Sequence, residues 1–292
     1  MEYKIKIFIL GLFLAGACSA YGQNSKSHRV LFLGNSEFLS RGGVCTSFEG
    51  FCQAVGLDFQ AVSQNNSGSN PMGVEFLNFG RIPTNLPAIA EEEGIHELIR
   101  SGNFDYVVLS GKRAGFLLPD WVELPGNREK HISYEKNLEA LAKIHQTIVK
   151  SGAKMVFYME PGKHATLDIK YSLAQIYLKL HADLEKMEIN GENHEVILVP
   201  GMLFSVDGLR RYGVDGWYVD HVHGTALSNY AMACMLYTYL TGNDPRDNDF
   251  RKLIDLTRDW QIIPDKIDSL VDLEDEKWIK DQVWLYYSTR PR

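Results

Sequence analysis

Five short apolar segments, separated by amphipathic stretches, set the pattern of hydrophobic and polar positions along this chain. The first of them consists of four large apolar residues without polar alternation, which is typical of a strand buried on both faces of a parallel sheet. The segments are residues 30–33, 59–62, 104–109, 154–159 and 196–199. Strands that alternate with helices predict a three-layer α/β fold, in which helices cover both faces of a doubly wound sheet of about five parallel strands.

Between and after these segments, apolar residues recur at the spacing of an amphipathic helix. The predicted helices are residues 44–55, residues 87–100, a helix that ends at Gly152, a long helix that ends at Asn190-Gly191, and a last one that ends at Gly242. His145 lies on the apolar face of the third helix. We expect it to be a packed or half-exposed helix residue rather than a catalytic one.

The whole predicted sheet lies within residues 23–242, which we interpret as one domain. The segment that follows, residues 243–292, is charged, and its apolar residues are too few for a core of its own. We therefore expect this extension to form helices that pack on the main domain.

The amino end has the pattern of a signal peptide, which we place at residues 1–22. Lys4 and Lys6 precede an apolar run that is well short of the roughly 20 residues needed to span a bilayer. The small residues that follow favour ordinary cleavage, whereas a loose lipoprotein motif offers Cys18 as the site of a lipid anchor. We therefore expect an exported protein, periplasmic or secreted, without a membrane-spanning segment.

Charge and cysteine content argue against two further classes of protein. The net charge of −7 argues against a nucleic-acid partner, whose phosphates require a basic surface. Cys45 and Cys52 lie on one predicted helix, about 10 Å apart along its axis, and a disulfide requires Cα atoms within about 7 Å. Together with Cys234, they are expected to be small buried residues rather than parts of a disulfide framework.

Candidate chemistry begins directly after the first strand. Gly34 and Asn35 permit a tight turn, and Ser36 follows them. A strand, a sharp turn and a helix lift a side chain above the carboxyl end of the sheet, where open α/β sheets hold their ligands. Ser36 is therefore the candidate nucleophile, and a loop or helix-capping serine is the alternative.

A candidate base and its carboxylate lie in the loop before the last helix. Asp220 precedes His223 by three residues, so that one turn of the chain carries both. An imidazole base needs a carboxylate that fixes its tautomer and orientation. Ser36, His223 and Asp220 are therefore the predicted catalytic residues.

Two other interpretations of this loop remain open. In an extended chain, His221 and His223 lie on one side and, with Asp220 nearby, form a candidate metal site. Its further candidate ligands are His28, His164 and His194. The second interpretation is structural, with the polar side chains of the loop capping the last helix.

These motifs together resemble the SGNH (GDSL-like) hydrolase superfamily, in particular a bacterial branch whose first block reads G-N-S. Residues 31–36 look like the first block, and residues 66–69 look like the second, whose glycine is Gly68 here. Residues 220–223 are similar to the last block, D-x-x-H. The order of the blocks and their positions after strands agree over about residues 29–242.

The resemblance implies a flavodoxin-like sheet and a serine esterase without a metal or organic cofactor. In such an enzyme, Ser36 attacks the ester carbonyl, His223 takes its proton, and Asp220 orients His223. The backbone N–H groups of Ser36 and Gly68 hold the oxyanion.

One block departs from the family pattern. Where the family has G-x-N-D after the third strand, residues 111–114 read Gly-Lys-Arg-Ala, without the asparagine that donates to the oxyanion. Arg113 is the candidate replacement. Losing one such donor typically costs about 3 kcal/mol of transition-state stabilisation. A non-catalytic glycan-binding protein on the same fold is therefore the competing prediction.

For the substrate, the resemblance implies a small acyl ester, and acetylated carbohydrate in particular for an exported bacterial protein. Trp121, Trp217 and Tyr218 are the candidates for stacking on sugar rings. Packing in the core or at the rim of the site is the alternative for each of them. The expected partner is thus a small acyl ester or an acylated glycan.

Overall fold

The computed structural model describes residues 27–34, 43–63, 75–76, 86–110, 133–161, 167–219, 223–254 and 269–290 of the 292 residues. The predicted signal peptide lies outside these ranges. So do seven of the predicted site residues and candidate metal ligands, namely Ser36, Gly68, Arg113, Trp121, His164, Asp220 and His221.

The described elements follow the predicted alternation of strands and helices. In chain order they are β1 (His28–Leu33), α1 (Val44–Ala54), β2 (Phe59–Ser63), β3 (Glu75–Phe76), α2 (Leu86–Glu91), α3 (Glu93–Ser101), β4 (Tyr106–Ser110), α4 (Tyr134–Ser151), β5 (Lys154–Tyr158), α5 (Leu167–Glu185), β6 (Glu188–Ile189), β7 (Glu192–Asn193), β8 (Val196–Val199), α6 (Gly201–Trp217), α7 (Ala226–Thr241), a 3-10 turn (Pro245–Asp247) and α8 (Leu273–Ser288).

The main sheet is parallel throughout its described part, with the strand order β3-β2-β1-β4-β5-β8. β3 has only two residues, so the other five strands form most of the sheet. The chain winds outward from β1 in both directions, which is the flavodoxin-like order. The predicted three-layer, doubly wound fold is confirmed.

Alternate side chains of β1 enter two different cores. Val30 and Phe32 pack among residues of α1 and α7 on one face, whereas Leu31 and Leu33 pack among residues of α2 to α5 on the other. None of the four is more than 1% exposed. Burial on both faces explains why this strand reads as a continuous apolar run.

Two predicted helices have different bounds in the structure. The helix predicted over residues 87–100 is divided into α2 and α3, because Glu92 between them is extended (φ −84°, ψ 97°) and Gly94, a weak helix former, follows. The long helix α5 ends at Glu185, before the predicted Asn190-Gly191. Asn190 and Gly191 instead turn the β6–β7 hairpin, with the positive φ values that a tight hairpin turn requires.

Helix α8 covers the outer side of α7. Ile279 and Val283 have no exposed surface and belong to the same core as α1 and α7. The buried side chain of Lys280 donates through Nζ to the carbonyl of Asn248 and to Glu276 Oε1. Within the described ranges, no helix combines the length and the apolar character needed to cross a bilayer.

Two expectations about buried groups are confirmed. Cys45, Cys52 and Cys234 are buried and free of disulfides. His145 is 1% exposed on α4, and among the described residues neither of its ring nitrogens has a hydrogen-bond partner. Burial, with a smaller contribution from His194, lowers the pKa of His145 from 6.5 to about 4.

This buried imidazole predicts a loss of stability in mild acid. Between pH 6.5 and 4 the unfolded chain binds a proton at His145 that the folded chain excludes, so the free energy of unfolding falls as the pH falls. From pH 7 to pH 5, the loss through His145 is about 2 kcal/mol. Urea unfolding of the wild type and of His145→Leu at pH 7 and pH 5 measures this loss of unfolding free energy. Other groups titrate equally in both proteins, and an equal fall in both would contradict the assignment.

Candidate active site

The described ends of β1 and β4 form the point at which the winding of the sheet reverses. β1 ends at Leu33 and Gly34 follows, while the neighbouring β4 ends at Ser110. In open α/β sheets, the crevice at this point and at the carboxyl ends of the strands holds the ligand. Ser36 follows Gly34 by two residues and lies outside the described residues.

His223 lies just before α7, where residues 223–225 pair with residues 217–219; we call the connection between them the His223 turn. Tyr218 and Gly224 pair as an antiparallel bridge, and Val219 N donates to the carbonyl of His223 over 2.9 Å. Thr225 N donates to the carbonyl of Trp217 over 3.0 Å, and the Thr225 side chain caps α7 by accepting from Ser228 N. His223 is half-buried. The turn therefore has fixed ends and presents His223 beside the amino end of α7.

A buried group of polar side chains supports one end of this turn. Tyr218 Oη lies 2.9 Å from Ser205 Oγ, and it accepts from Lys170 Nζ over 3.0 Å. Trp217 Nε1 donates to the same Ser205 Oγ over 3.0 Å. Lys170 Nζ also donates to the carbonyl of Pro161, just beyond the end of β5. These contacts join α5, α6 and the end of β5 beneath the turn.

Glu160 is a second polar residue at the same edge of the sheet, and it has no exposed surface. It follows β5 closely, and the Ser110 hydroxyl at the end of β4 donates to its Oε2 over 2.8 Å. Neither residue was among the sequence candidates. The sequence could have identified both as candidates, because each is a polar residue at or just after the carboxyl end of a buried strand, as Ser36 is.

A small pocket lies between the start of α1 and the turn that carries His223. Its lining residues come from α1, the end of β5, the turn and the first two turns of α7, and they are Val44, Tyr158, Pro161, Tyr218, Gly224, Ser228, Asn229 and Met232. The enclosed space holds about one water-sized group. The pocket is thus bordered by the helix that follows Ser36 and by the residue after His223.

The structure corrects the prediction that Trp217 stacks on a sugar. Its side chain has no exposed surface and packs against Tyr212, with ring centroids 5.7 Å apart and planes 8° from parallel. Tyr218 is 3% exposed and lines the small pocket, while its hydroxyl is bonded to the buried polar group. Trp217 is therefore a core residue, which was the alternative interpretation for these aromatics. Trp121 lies outside the described residues.

No protein-family model matches this chain, and no curated protein is similar to it in sequence. Solved structures do share its fold. A DUF4886 family protein from Bacteroides uniformis is 12% identical over 90% of this chain and 96% of its own, with a TM-score of 0.55.

Two carbohydrate esterases of family 3 are more distant in structure. The enzyme from Clostridium thermocellum is 16% identical, covers 74% of this chain and 96% of its own, and has a TM-score of 0.48. The enzyme from Talaromyces cellulolyticus is 12% identical, covers 74% and 97%, and has a TM-score of 0.49. The likeness to the DUF4886 family protein, at 12% identity, concerns the fold alone.

Proposed function

We propose that this chain is an exported serine esterase of the SGNH type, which hydrolyses small acyl esters and acts on acetyl groups of carbohydrate. His223, oriented by Asp220, takes the proton of Ser36 as the Ser36 oxygen attacks the ester carbonyl. The backbone N–H groups of Ser36 and Gly68, with Arg113 in place of the missing asparagine, hold the oxyanion. Water then hydrolyses the acyl-enzyme.

One observation carries this proposal: the pocket between α1 and the His223 turn at the carboxyl edge of the sheet. Val44 borders it on one side and Gly224, next to His223, on the other. The chain leaves β1 at Gly34 on this same edge. Two residues of chain span at most about 7 Å, so covalent geometry limits how far the Ser36 Cα lies from Gly34. This supports the proposal, because the end of β1, which precedes the candidate nucleophile, and the residue after the candidate base both lie at this edge of the sheet.

The size of the pocket favours a short acyl group. It has room for about one water-sized group, which is close to the size of a methyl. Its lining is mixed, since Val44 and Met232 are apolar and Ser228 and Asn229 are polar. The methyl of an acetyl group is therefore a better match to this space than a longer acyl chain.

A fluorophosphonate probe tests the serine mechanism directly, because it labels only an activated serine. We expect stoichiometric labelling of the wild type and none of Ser36→Ala. Ser101→Ala is the matched control, since Ser101 is an exposed serine at the end of α3, before β4 rather than after it, and we expect it to be labelled like the wild type. Hydrolysis of an aryl acetate by the same three proteins is expected to follow the labelling.

Three results would contradict the proposal. Undiminished labelling and turnover in Ser36→Ala would exclude Ser36 as the nucleophile. No labelling, no hydrolysis of any acyl ester and saturable glycan binding would favour the binding protein. Loss of activity with a chelator, together with stoichiometric metal in the purified protein, would favour the metal-dependent hydrolase.

A further inference from the structure

Lys170 on α5 is a buried lysine at the carboxyl edge of the sheet. It is 1% exposed, and an ammonium in such a place loses its hydration at a large cost in free energy unless protein groups replace the water. Its Nζ donates to Tyr218 Oη over 3.0 Å and to the carbonyl of Pro161. The ammonium of Lys170 thus contacts Tyr218, the residue at which the His223 turn begins.

Tyr218 fixes one end of that turn from both its side chain and its backbone. Its hydroxyl binds Lys170 and Ser205, while its N–H donates to the carbonyl of Val214 over 2.7 Å and its backbone pairs with Gly224. The other end of the turn, at Gly224, packs closely against α7. A Cβ at Gly224 would lie 2.7 Å from Ser228 Oγ, so the turn is seated directly on α7.

We propose that Lys170 is a positioning residue, whose ammonium fixes Tyr218 and thereby the turn that ends in His223. This inference rests on the proposed function, in which His223 is the base. Lys170 touches neither the substrate nor the reacting atoms. It acts because a base displaced by about 1 Å from its productive position can lose up to about 10²-fold in rate.

The test compares kcat and KM for an aryl acetate in Lys170→Met, Tyr218→Phe and the double variant. We expect each single variant to lower kcat by about 10- to 100-fold and to leave KM nearly unchanged, because Lys170 does not line the pocket and Tyr218→Phe keeps the aromatic ring of a residue that does. If both act through one hydrogen bond, the double variant loses no more than the more impaired single variant. All rates are measured well below the unfolding temperature of each variant.

Lys280→Met is the matched control. Lys280 is a second buried lysine that also donates to a backbone carbonyl, but its partners Asn248 and Glu276 lie outside the turn and its support. We expect this variant to lose stability and to keep the kcat of the wild type. Equal losses of kcat in Lys170→Met and Lys280→Met would overturn the inference, since the effect would then be one of general stability.

Other outcomes separate this inference from the proposed function. If His223→Ala keeps full activity, the proposed function is wrong. If His223→Ala is inactive while Lys170→Met and Tyr218→Phe keep the kcat of the wild type, only the positioning role is wrong. Should Lys170→Met fail to fold, Tyr218→Phe carries the test, because it removes a single hydroxyl.

Discussion

Replacing His223 with alanine is expected to lower the kcat for aryl acetate hydrolysis by about 10⁴-fold or more, the loss typical of a serine hydrolase without its base. Without the imidazole, the proton of Ser36 has no acceptor as the Ser36 oxygen attacks. KM is expected to change little, because His223 acts on the proton rather than on the substrate. Steady-state kinetics of the wild type and of His223→Ala measure both quantities.

His28→Ala is the control for this experiment. His28 begins β1 at the opposite, amino edge of the sheet, where its ring stacks on Phe59 and its Nδ1 lies 3.4 Å from Asp105 Oδ1. It was also a candidate ligand of the alternative metal site. We expect His28→Ala to keep the kcat of the wild type. A kcat for His223→Ala within tenfold of the wild type would remove His223 from the mechanism.

The second large effect concerns stability. Trp217→Ala is expected to lower the free energy of unfolding by about 3–5 kcal/mol, as is usual when a large core aromatic is truncated. The variant loses the packing against Tyr212 and leaves Ser205 without the indole N–H, 3.0 Å away. Urea unfolding at neutral pH measures the change.

Stability and KM, measured on the same variants, separate the role of Trp217 in the core from the role in sugar stacking. We expect Trp217→Phe, which keeps most of the ring volume, to lose much less stability than the alanine variant. Trp284→Ala is the control, and we expect it to lose less stability than Trp217→Ala, because Trp284 is only half-buried on α8. A Trp217→Ala protein with the stability of the wild type and a raised KM for a glycan ester would mean that the indole meets substrate after all.

The strands could be predicted from the sequence because a strand that is buried on both faces requires a continuous run of apolar residues. The run at residues 30–33 is continuous, since its successive side chains enter two cores. The predicted strand at residues 196–199 coincides with β8. Bounds were less reliable where the sequence allows two structures, as at Glu92, where two helices meet.

Helix α6 was not predicted, and its glycines explain why. Gly208 and Gly213 lie inside it, and glycine counts against a helix in any analysis by propensity. In the structure, a Cβ at Gly208 would lie 2.5 Å from the ring of Trp217, so the glycine makes room for the indole. Gly213, with φ 71°, interrupts the helix. Met202, Val206 and Leu209 are spaced as on one face of a helix, but the glycines between and after them obscure this pattern in the sequence.

The buried polar group beneath the His223 turn was equally hidden. A lysine on an amphipathic helix is expected to reach solvent, and Lys170 instead has 1% of its surface exposed. Its partner Tyr218 is 48 positions away in the chain. The motif around His223 could be recognised from short-range spacing, whereas the residues that hold it in place come together only through the fold.

The central strand of the sheet is also the first strand of the chain, and this has a consequence for folding kinetics. β1 reaches its second neighbour only when Val30 meets Tyr106, which closes a long loop at a cost in entropy. Contacts between such distant residues slow folding. Until that loop closes, one edge of a strand whose last four residues are all apolar has no partner, so this segment is the part of the described sheet most prone to pairing with another molecule during refolding.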